Sequence, residues 1–388
     1  MKIYHQTGFR YNWNMEAFDQ NIGDGLIYSP VNVDADRLNE YDVKYKKSSF
    51  LDPQLYLLNE AKGTLDTYPY FPGNIEPDFS TPDLDESHLT LAKLCVDYQY
   101  DNKFEYLVIP TRYYEDNPTN YFLQSSDYFV EPFCNYTKQN SIDKPILLSV
   151  IIKSIMLTDI DRFNQVLNWI TSHQYINGVY LIFENNFSSK QIKEFEYLLN
   201  ALKIIDILKK NQLEVHIGYT NTEALLYSIA MPDSITIASY ENLRSFGIKR
   251  FRDLEKTQMR APNARLYSSQ LLQWVDYNYI QSMKSLVSNY EELFDDSEYK
   301  PLMFTPDFNW HFMKAEPYKH YFQVFNRQLS SLPDEQNSRI DHLKDIIKRA
   351  ISNFSIIEKD VLLDDNSDGS HLPIWFNVIN AFSKNKYV

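Results

Sequence analysis

The chain has few of the residues that punctuate or cross-link a fold. Its 388 residues include only 9 glycines, and neither a Gly-x-Gly-x-x-Gly fingerprint nor a Gly-x-x-x-x-Gly-Lys-Ser/Thr loop occurs, so the glycine-rich phosphate cradles are excluded as motifs. There are two cysteines, Cys95 and Cys134, which are too few for a disulfide framework or a cysteine-based zinc site. They read as small buried hydrophobes in a reducing compartment. No run approaches the roughly 18 to 20 apolar residues of a membrane-spanning helix. The opening stretch, Met1 to Trp13, is polar and lacks the apolar core of a secretory signal. The expectation is a cytoplasmic protein with no membrane partner.

Histidine is also sparse and scattered, with 8 in the chain and neither a His-Glu-x-x-His nor a His-x-His pair. No cofactor is predicted. Ligands converging from different strands leave no local motif, however, which keeps a divalent metal at Asp52, Glu184 and His216 open. Positive charge is outnumbered, 38 Lys and Arg against 52 Asp and Glu for a formal charge of -14. That balance excludes a protein that coats nucleic acid with its whole surface, since such binding depends on cations replacing the counterions of phosphates. Any polyanion site must be local.

Aromatic and aliphatic residues are abundant. With 30 Tyr, 24 Phe and 44% hydrophobic residues, the chain can bury a large core. Short β-branched and apolar runs recur with helical stretches between them, the pattern of a parallel sheet wrapped by helices. Eight such runs are found: Gly25 to Val33, Ser49 to Leu57, Tyr106 to Arg112, Pro145 to Lys153, Gly178 to Asn185, Glu214 to Thr220, Ser234 to Tyr240 and Ala264 to Ser269. The fold class expected is α/β, a (β/α)8 TIM-type barrel with a helical C-terminal extension.

Amphipathic helices are expected over Asp159 to His173, Ser188 to Lys210 with Ser188 as its cap, Thr222 to Ala230 and Leu271 to Phe294. Residues 1–300 would form the barrel, with a long, proline- and aromatic-rich insertion at 59–105 read as an ordered lid or flap. Residues 301–388 would form the extension, with helices near Pro317 to Leu332, Ser338 to Glu358 and Leu372 to Phe382.

In such a barrel the chemistry sits at the C-terminal ends of the strands. Period-two alternation turns Glu214, His216, Gly218 and Thr220 inward on the sixth run, with Val215, Ile217 and Tyr219 outward. On the fifth it turns Tyr180, Ile182 and Glu184 inward, and on the fourth Ser149 and Lys153. Asp52, in Phe50-Leu51-Asp52-Pro53, ends the second strand, and Arg112 ends the third. Asp52, Lys153, Glu184 and His216 are therefore the catalytic candidates, because a low-dielectric cup shifts carboxyl and amine pKa values toward neutrality. Each has a plainer reading beside it, a salt bridge closing the mouth or, for His216, a hydrogen-bonded core histidine.

A second feature is local. Arg244, Lys249, Arg250, Arg252, Lys256, Arg260 and Arg265 lie within 22 residues that hold only two acids, Asp253 and Glu255. The run follows the seventh strand and enters the eighth, where many barrels hold a phosphate. Arg112, Tyr240, Arg244, Arg250 and Arg265 are the substrate-binding candidates, and the competing reading is a solvated charged face.

The stretch from His216-Ile217-Gly218-Tyr219 through Asp233-Ser234-Ile235-Thr236 to Tyr240-Glu241-Asn242-Leu243-Arg244-Ser245-Phe246 resembles the sixth and seventh units of barrel enzymes of the tRNA-guanine transglycosylase type. The resemblance implies a carboxylate nucleophile at a strand end that exchanges a nucleobase, with basic loops holding a nucleic-acid backbone. The family's Cys-x-Cys-x-x-Cys zinc motif with its following His is absent, and no residue maps onto the family's nucleophile.

The expected function is that of a barrel enzyme, of transferase or hydrolase type, acting on a nucleobase, nucleotide or nucleic acid held by the basic rim loop. The alternative is a non-catalytic barrel subunit that binds a protein partner within a larger assembly. A glycoside hydrolase using Glu184 and Glu241 is a lesser alternative.

Overall fold

In a computed structural model of the protein, residues 1–76, 84–187, 189–252 and 262–384 are described. The chain divides into two compact units. The first comprises Met1–Asn185, Ile207–Tyr219 and Pro232–Lys256, and the second Asn186–Asp206, Thr220–Met231 and Thr257–Val388. The second unit thus starts well before the expected boundary at 301 and takes in two earlier excursions of the chain.

All eight strands of the main sheet lie in the first unit. They are β1 (Lys2–Gln6), β2 (Gly25–Tyr28), β3 (Phe50–Leu51), β4 (Leu107–Ile109), β5 (Ile146–Ile152), β6 (Gly178–Phe183), β7 (Glu214–Gly218) and β8 (Ser234–Ile237). Every pairing is parallel, in the order β3-β2-β1-β8-β7-β6-β5-β4. This is the cyclic order of a (β/α)8 barrel. The two outer strands approach each other, with Glu105 N–H on the Ser49 carbonyl at 2.8 Å and Tyr113 N–H on that of Tyr56 at 2.9 Å, so the sheet nearly closes.

Two assignments from sequence change. The first barrel strand is β1, inside the stretch read as a polar opening: Tyr4 and Gln6 face the interior side, so the segment carries little aliphatic signal. The run Ala264 to Ser269 does not supply the eighth strand. It forms β9 (Arg265–Ser268), which pairs antiparallel with β10 (Gln273–Asp276) in a separate two-stranded hairpin of the second unit. Leu272, at φ 50°, helps turn the chain between them.

The intervening helices follow local signals. Asp159 caps the helix Ile160–Ser172 by accepting the Arg162 N–H at 3.0 Å, and apolar residues Phe163, Val166, Leu167 and Ile170 recur along its buried face. The expected helix from Ser188 begins at Phe195 and ends at Lys210; Ser188 itself lies outside the described residues. The insertion 59–105 holds the helix Leu84–Asp101 as the crossover between β3 and β4, and its aromatics Tyr68, Tyr70 and Tyr98 pack on one another with centroids 5.1 to 6.0 Å apart. They belong to a core rather than to a flap. Among the described residues no helix is long and apolar enough to cross a membrane, and Cys95 and Cys134 are both buried and free.

The second unit is mainly helical. Its hairpin packs on the helix Glu316–Ser330 through Tyr267, Trp274 and Tyr321, with ring centroids 4.7 Å apart for the Trp274–Tyr321 pair. The helices Gln336–Ile357 and His371–Lys384 follow. Arg339 donates to the Ser228 carbonyl at 3.0 Å, and Trp375 to that of Ile192 at 2.9 Å, which ties the C-terminal helices to both earlier excursions of the chain.

Strand packing in the barrel leaves no room at certain glycines. A Cβ on Gly25 would meet the Ser48 carbonyl oxygen at 1.9 Å, whereas one on Gly247 would meet nothing within 4 Å. Gly25→Ala should therefore lower stability by about 3 kcal/mol, and Gly247→Ala should leave the thermal melting curve unchanged. Equal melting temperatures for the two variants would contradict this packing.

Candidate active site

The interior of the barrel is built largely from tyrosine. At the N-terminal ends of the strands, Tyr4 donates to Glu105 and Tyr106 to Glu214, both at 2.9 Å, while Phe50 packs edge-on against Tyr4, Tyr106 and Tyr180. His216 belongs to this lower layer. Its ring lies 4.8 Å from that of Tyr106, with Nδ1 2.8 Å from the Ser234 hydroxyl and Nε2 3.2 Å from the Glu214 carboxylate. The inward direction read from alternation is right, but the end is wrong. Glu214 and Ser234 are the first residues of β7 and β8, and the N-terminal end of such a barrel serves stability. His216 is a partnered core residue there.

At the opposite end Asp52 follows β3 directly, with its N–H on the Tyr28 carbonyl at 3.1 Å, and it is 1% exposed. The Tyr56 hydroxyl reaches its two oxygens at 2.8 and 2.7 Å, the Tyr219 hydroxyl donates at 2.9 Å, and the Gln54 N–H at 3.2 Å. Tyr180 stands 3.5 Å away while donating to Gln6 at 3.1 Å. Burial moves the carboxyl from the usual 3.8 up to about 6, against the opposing pull of the two tyrosine hydroxyls, the Gln54 N–H and the Arg250 charge.

Two residues of this cage adopt left-handed backbone, Gln54 at φ 55° and Tyr219 at φ 55°. Each costs roughly 1 to 2 kcal/mol in an ordinary L-residue, and such conformations cluster at functional sites. For Tyr219 the consequence is direct. Strict alternation from β7 sends it outward, but the positive φ reverses the chain and brings its hydroxyl onto Asp52. Gln54 links the cage further, its amide donating to the Tyr219 hydroxyl at 3.0 Å while its carbonyl accepts from the Ser29 hydroxyl and the Val31 N–H.

Aromatic residues from the segment after β8 cover the cage. Phe246 lies 5.1 Å from Tyr56 and 5.4 Å from Tyr219, and Phe251 4.8 Å from Tyr56, all edge-on. The segment is stitched to the end of β6 by the Asn185 N–H on the Phe246 carbonyl at 3.1 Å. Arg250 spans the aromatic surface, 5.8 Å from the Tyr219 ring and 5.3 Å from that of Phe251.

The other candidates occupy the rim. Glu184 accepts from the Tyr113 hydroxyl at 2.7 Å. Lys153 lies 4.4 Å above the Tyr113 ring and donates to the Tyr114 and Glu115 carbonyls; burial holds its pKa below the usual lysine value. Arg112 stacks on Tyr114 at 4.4 Å, and burial lowers its pKa too. Tyr240 is half-buried against Trp13 at 6.0 Å.

The basic run is dispersed. Arg244 is buried and donates to the Ser239 carbonyl, and Arg252 pairs with Glu115 at 2.8 Å. Arg265 opens β9 in the second unit, where its guanidinium donates to the carbonyls of Trp274 and Asn366. It is not on a barrel strand. Lys256, Arg260, Asp253 and Glu255 lie outside the described residues. Lys249 is exposed, and Arg250 donates to the Asn242 carbonyl at 3.3 Å. No group of three His, Cys, Asp or Glu side chains suited to a metal ion occurs among the described residues, and with His216 in the lower layer the set Asp52, Glu184 and His216 does not form one. Glu241, offered as a partner for Glu184, is exposed in the turn after β8.

No protein-family model, curated protein or solved structure matches the chain.

The Asp52 carboxyl favours its proton in the fold. That contribution to stability is complete below 3.8 and is lost as pH rises through about 6. Asp52→Asn should remove this dependence. Its stability relative to the native chain should increase by about 2 kcal/mol between pH 4.5 and 7.5 in denaturant unfolding. A pH-independent difference would show that Asp52 is not so perturbed.

Proposed function

We propose that the barrel is an enzyme of the glycosyl-transfer type acting on a nucleobase, nucleotide or nucleic-acid substrate, with Asp52 as its acid–base carboxyl group. The observation that carries this reading is a fully buried carboxyl at a strand's C-terminal end, within reach of three tyrosine hydroxyls and held near a pKa of about 6. Such a group gives up and takes back a proton near neutral pH, which is what departure and attack of a nucleobase require. The surroundings favour a planar, hydrogen-bonding ligand. Tyr56, Phe246 and Phe251 offer ring faces, and the Gln6 amide Nε2 is buried without a partner, a donor left for a base edge. Lys249 and Arg250 would take the phosphate. Entry requires the Phe246–Phe251 segment to swing away.

That aromatic cover is also the observation that favours the rival, a barrel without chemistry that serves a protein assembly. A thermal-shift screen against nucleobases, nucleotides and short RNA and DNA separates the two, since a ligand at 100 times its dissociation constant adds about 2.7 kcal/mol. Stabilisation is expected from one of these classes, reduced about tenfold in affinity by Arg250→Ala. Glycosidic-bond cleavage or exchange on that ligand should fall about 1000-fold in Asp52→Asn. Silence across the screen, with a protein partner co-purifying, would establish the rival instead.

A further inference from the structure

The second unit contains a cleft of about 500 Å³ whose walls come from three elements. Val324, Arg327, Gln328 and Ser331 lie on one face of the helix Glu316–Ser330 and its C-cap, at the spacing of successive turns. His342, Ile346 and Arg349 repeat that spacing on the helix Gln336–Ile357. Ser269 and Gln270, in the turn between β9 and β10, close the end beside Asp295 and Asp296.

The formal charges of this lining nearly cancel, but their placement does not. Both oxygens of Asp295 are engaged by Ser269, through its N–H at 2.7 Å and its hydroxyl, and Gln270 approaches at 3.4 Å. The Asp296 carboxylate is 95% exposed and pairs with Lys300 at 3.1 Å. The Ser269 and Gln270 donors are neutral, so they hold the Asp295 carboxylate in place without cancelling its charge. Arg327 donates to the backbone carbonyl of Asp296, a neutral partner that orients the guanidinium without cancelling its charge. The side chains of His342 and Arg349 have no hydrogen-bond or ion-pair partner among the described residues. The Gln328 carbonyl accepts from Tyr267 at 2.7 Å, which points its amide N–H groups the other way. Two guanidiniums, an imidazole and an amide donor thus face one concavity in a chain of net charge -14. Val324 and Ile346 add an apolar wall.

We infer that this cleft binds a small phosphorylated molecule, its phosphate on Arg327 and Arg349 and its organic body against Val324 and Ile346. Paired guanidiniums match phosphate oxygens bidentately, and the volume falls within the roughly 300–1,000 Å³ of small-molecule sites. The site is independent of the Asp52 reading: every lining residue belongs to the second unit.

Isothermal titration of the full chain with inorganic phosphate, ribose 5-phosphate, AMP and citrate tests it. Ribose 5-phosphate or AMP should bind, and inorganic phosphate should bind at least tenfold more weakly because it lacks the organic body. Arg349→Ala, at an exposed position where misfolding is not expected, should weaken the phosphoester at least tenfold, with Arg349→Lys intermediate. Loss of AMP binding in Asp52→Asn but not in Arg349→Ala would place the nucleotide in the barrel and overturn the inference. So would citrate binding in preference to both phosphoesters, or no binding by any probe at millimolar concentration.

Discussion

A tyrosine inside a closed barrel brings a large ring that fills the interior and a hydroxyl that must find an acceptor away from water. This barrel uses tyrosine on β1, before β4, on β6 and after β7, so the placement of acceptors governs much of its design. In the lower layer the acceptors are Glu105 and Glu214, carboxylates near solvent at the strand entrances. In the upper layer two hydroxyls converge on Asp52, with a third close by, and Asp52 has no solvent to share. The same demand for hydroxyl partners that stabilises the floor produces, at the mouth, a carboxyl group balanced between its two protonation states.

The balance depends on magnitudes. Burial favours the neutral acid, whereas each donated hydrogen bond favours the carboxylate. Neither wins outright, and the pKa settles near 6. Left-handed backbone at Gln54 and Tyr219 holds the donors in place at a conformational cost, which a purely structural plug of aliphatic side chains would not incur.

Much of this architecture was legible in the residues. The apolar runs that became β2 through β8 stood out, and alternation along β6 turned Tyr180 and Ile182 into the barrel core because that strand is long enough to average out exceptions. Asp52 was singled out from its place at the end of a strand, and it does follow β3 directly. What escaped notice had physical reasons. β1 carries Tyr4 and Gln6 where a strand usually shows aliphatic residues. Arg265-Leu-Tyr-Ser looks like any buried strand, and only the matching run Gln273-Trp-Val-Asp, which pairs back on it, reveals a hairpin. Tyr219 was turned outward because alternation fails wherever φ changes sign, and no residue type announces that at a tyrosine. The basic run was read as one surface, yet neighbours in sequence proved to have separate tasks: Arg244 supports a turn, Arg252 pairs with Glu115, and Arg265 belongs to another unit.

A parallel bridge between Glu184 and Phe246, with the Asn185 N–H on the Phe246 carbonyl, joins the covering segment to the end of β6 as a rudimentary extra strand pairing. If a ligand reaches Asp52 as proposed, that pairing has to part and Phe246 and Phe251 have to leave Tyr56 and Tyr219. Capture would then be paced by the protein's own opening, and the observed association rate would level off at high ligand concentration instead of rising in proportion. On that proposal, such a closed state would trade speed of encounter for a dry carboxyl group and would keep water away from it between visits.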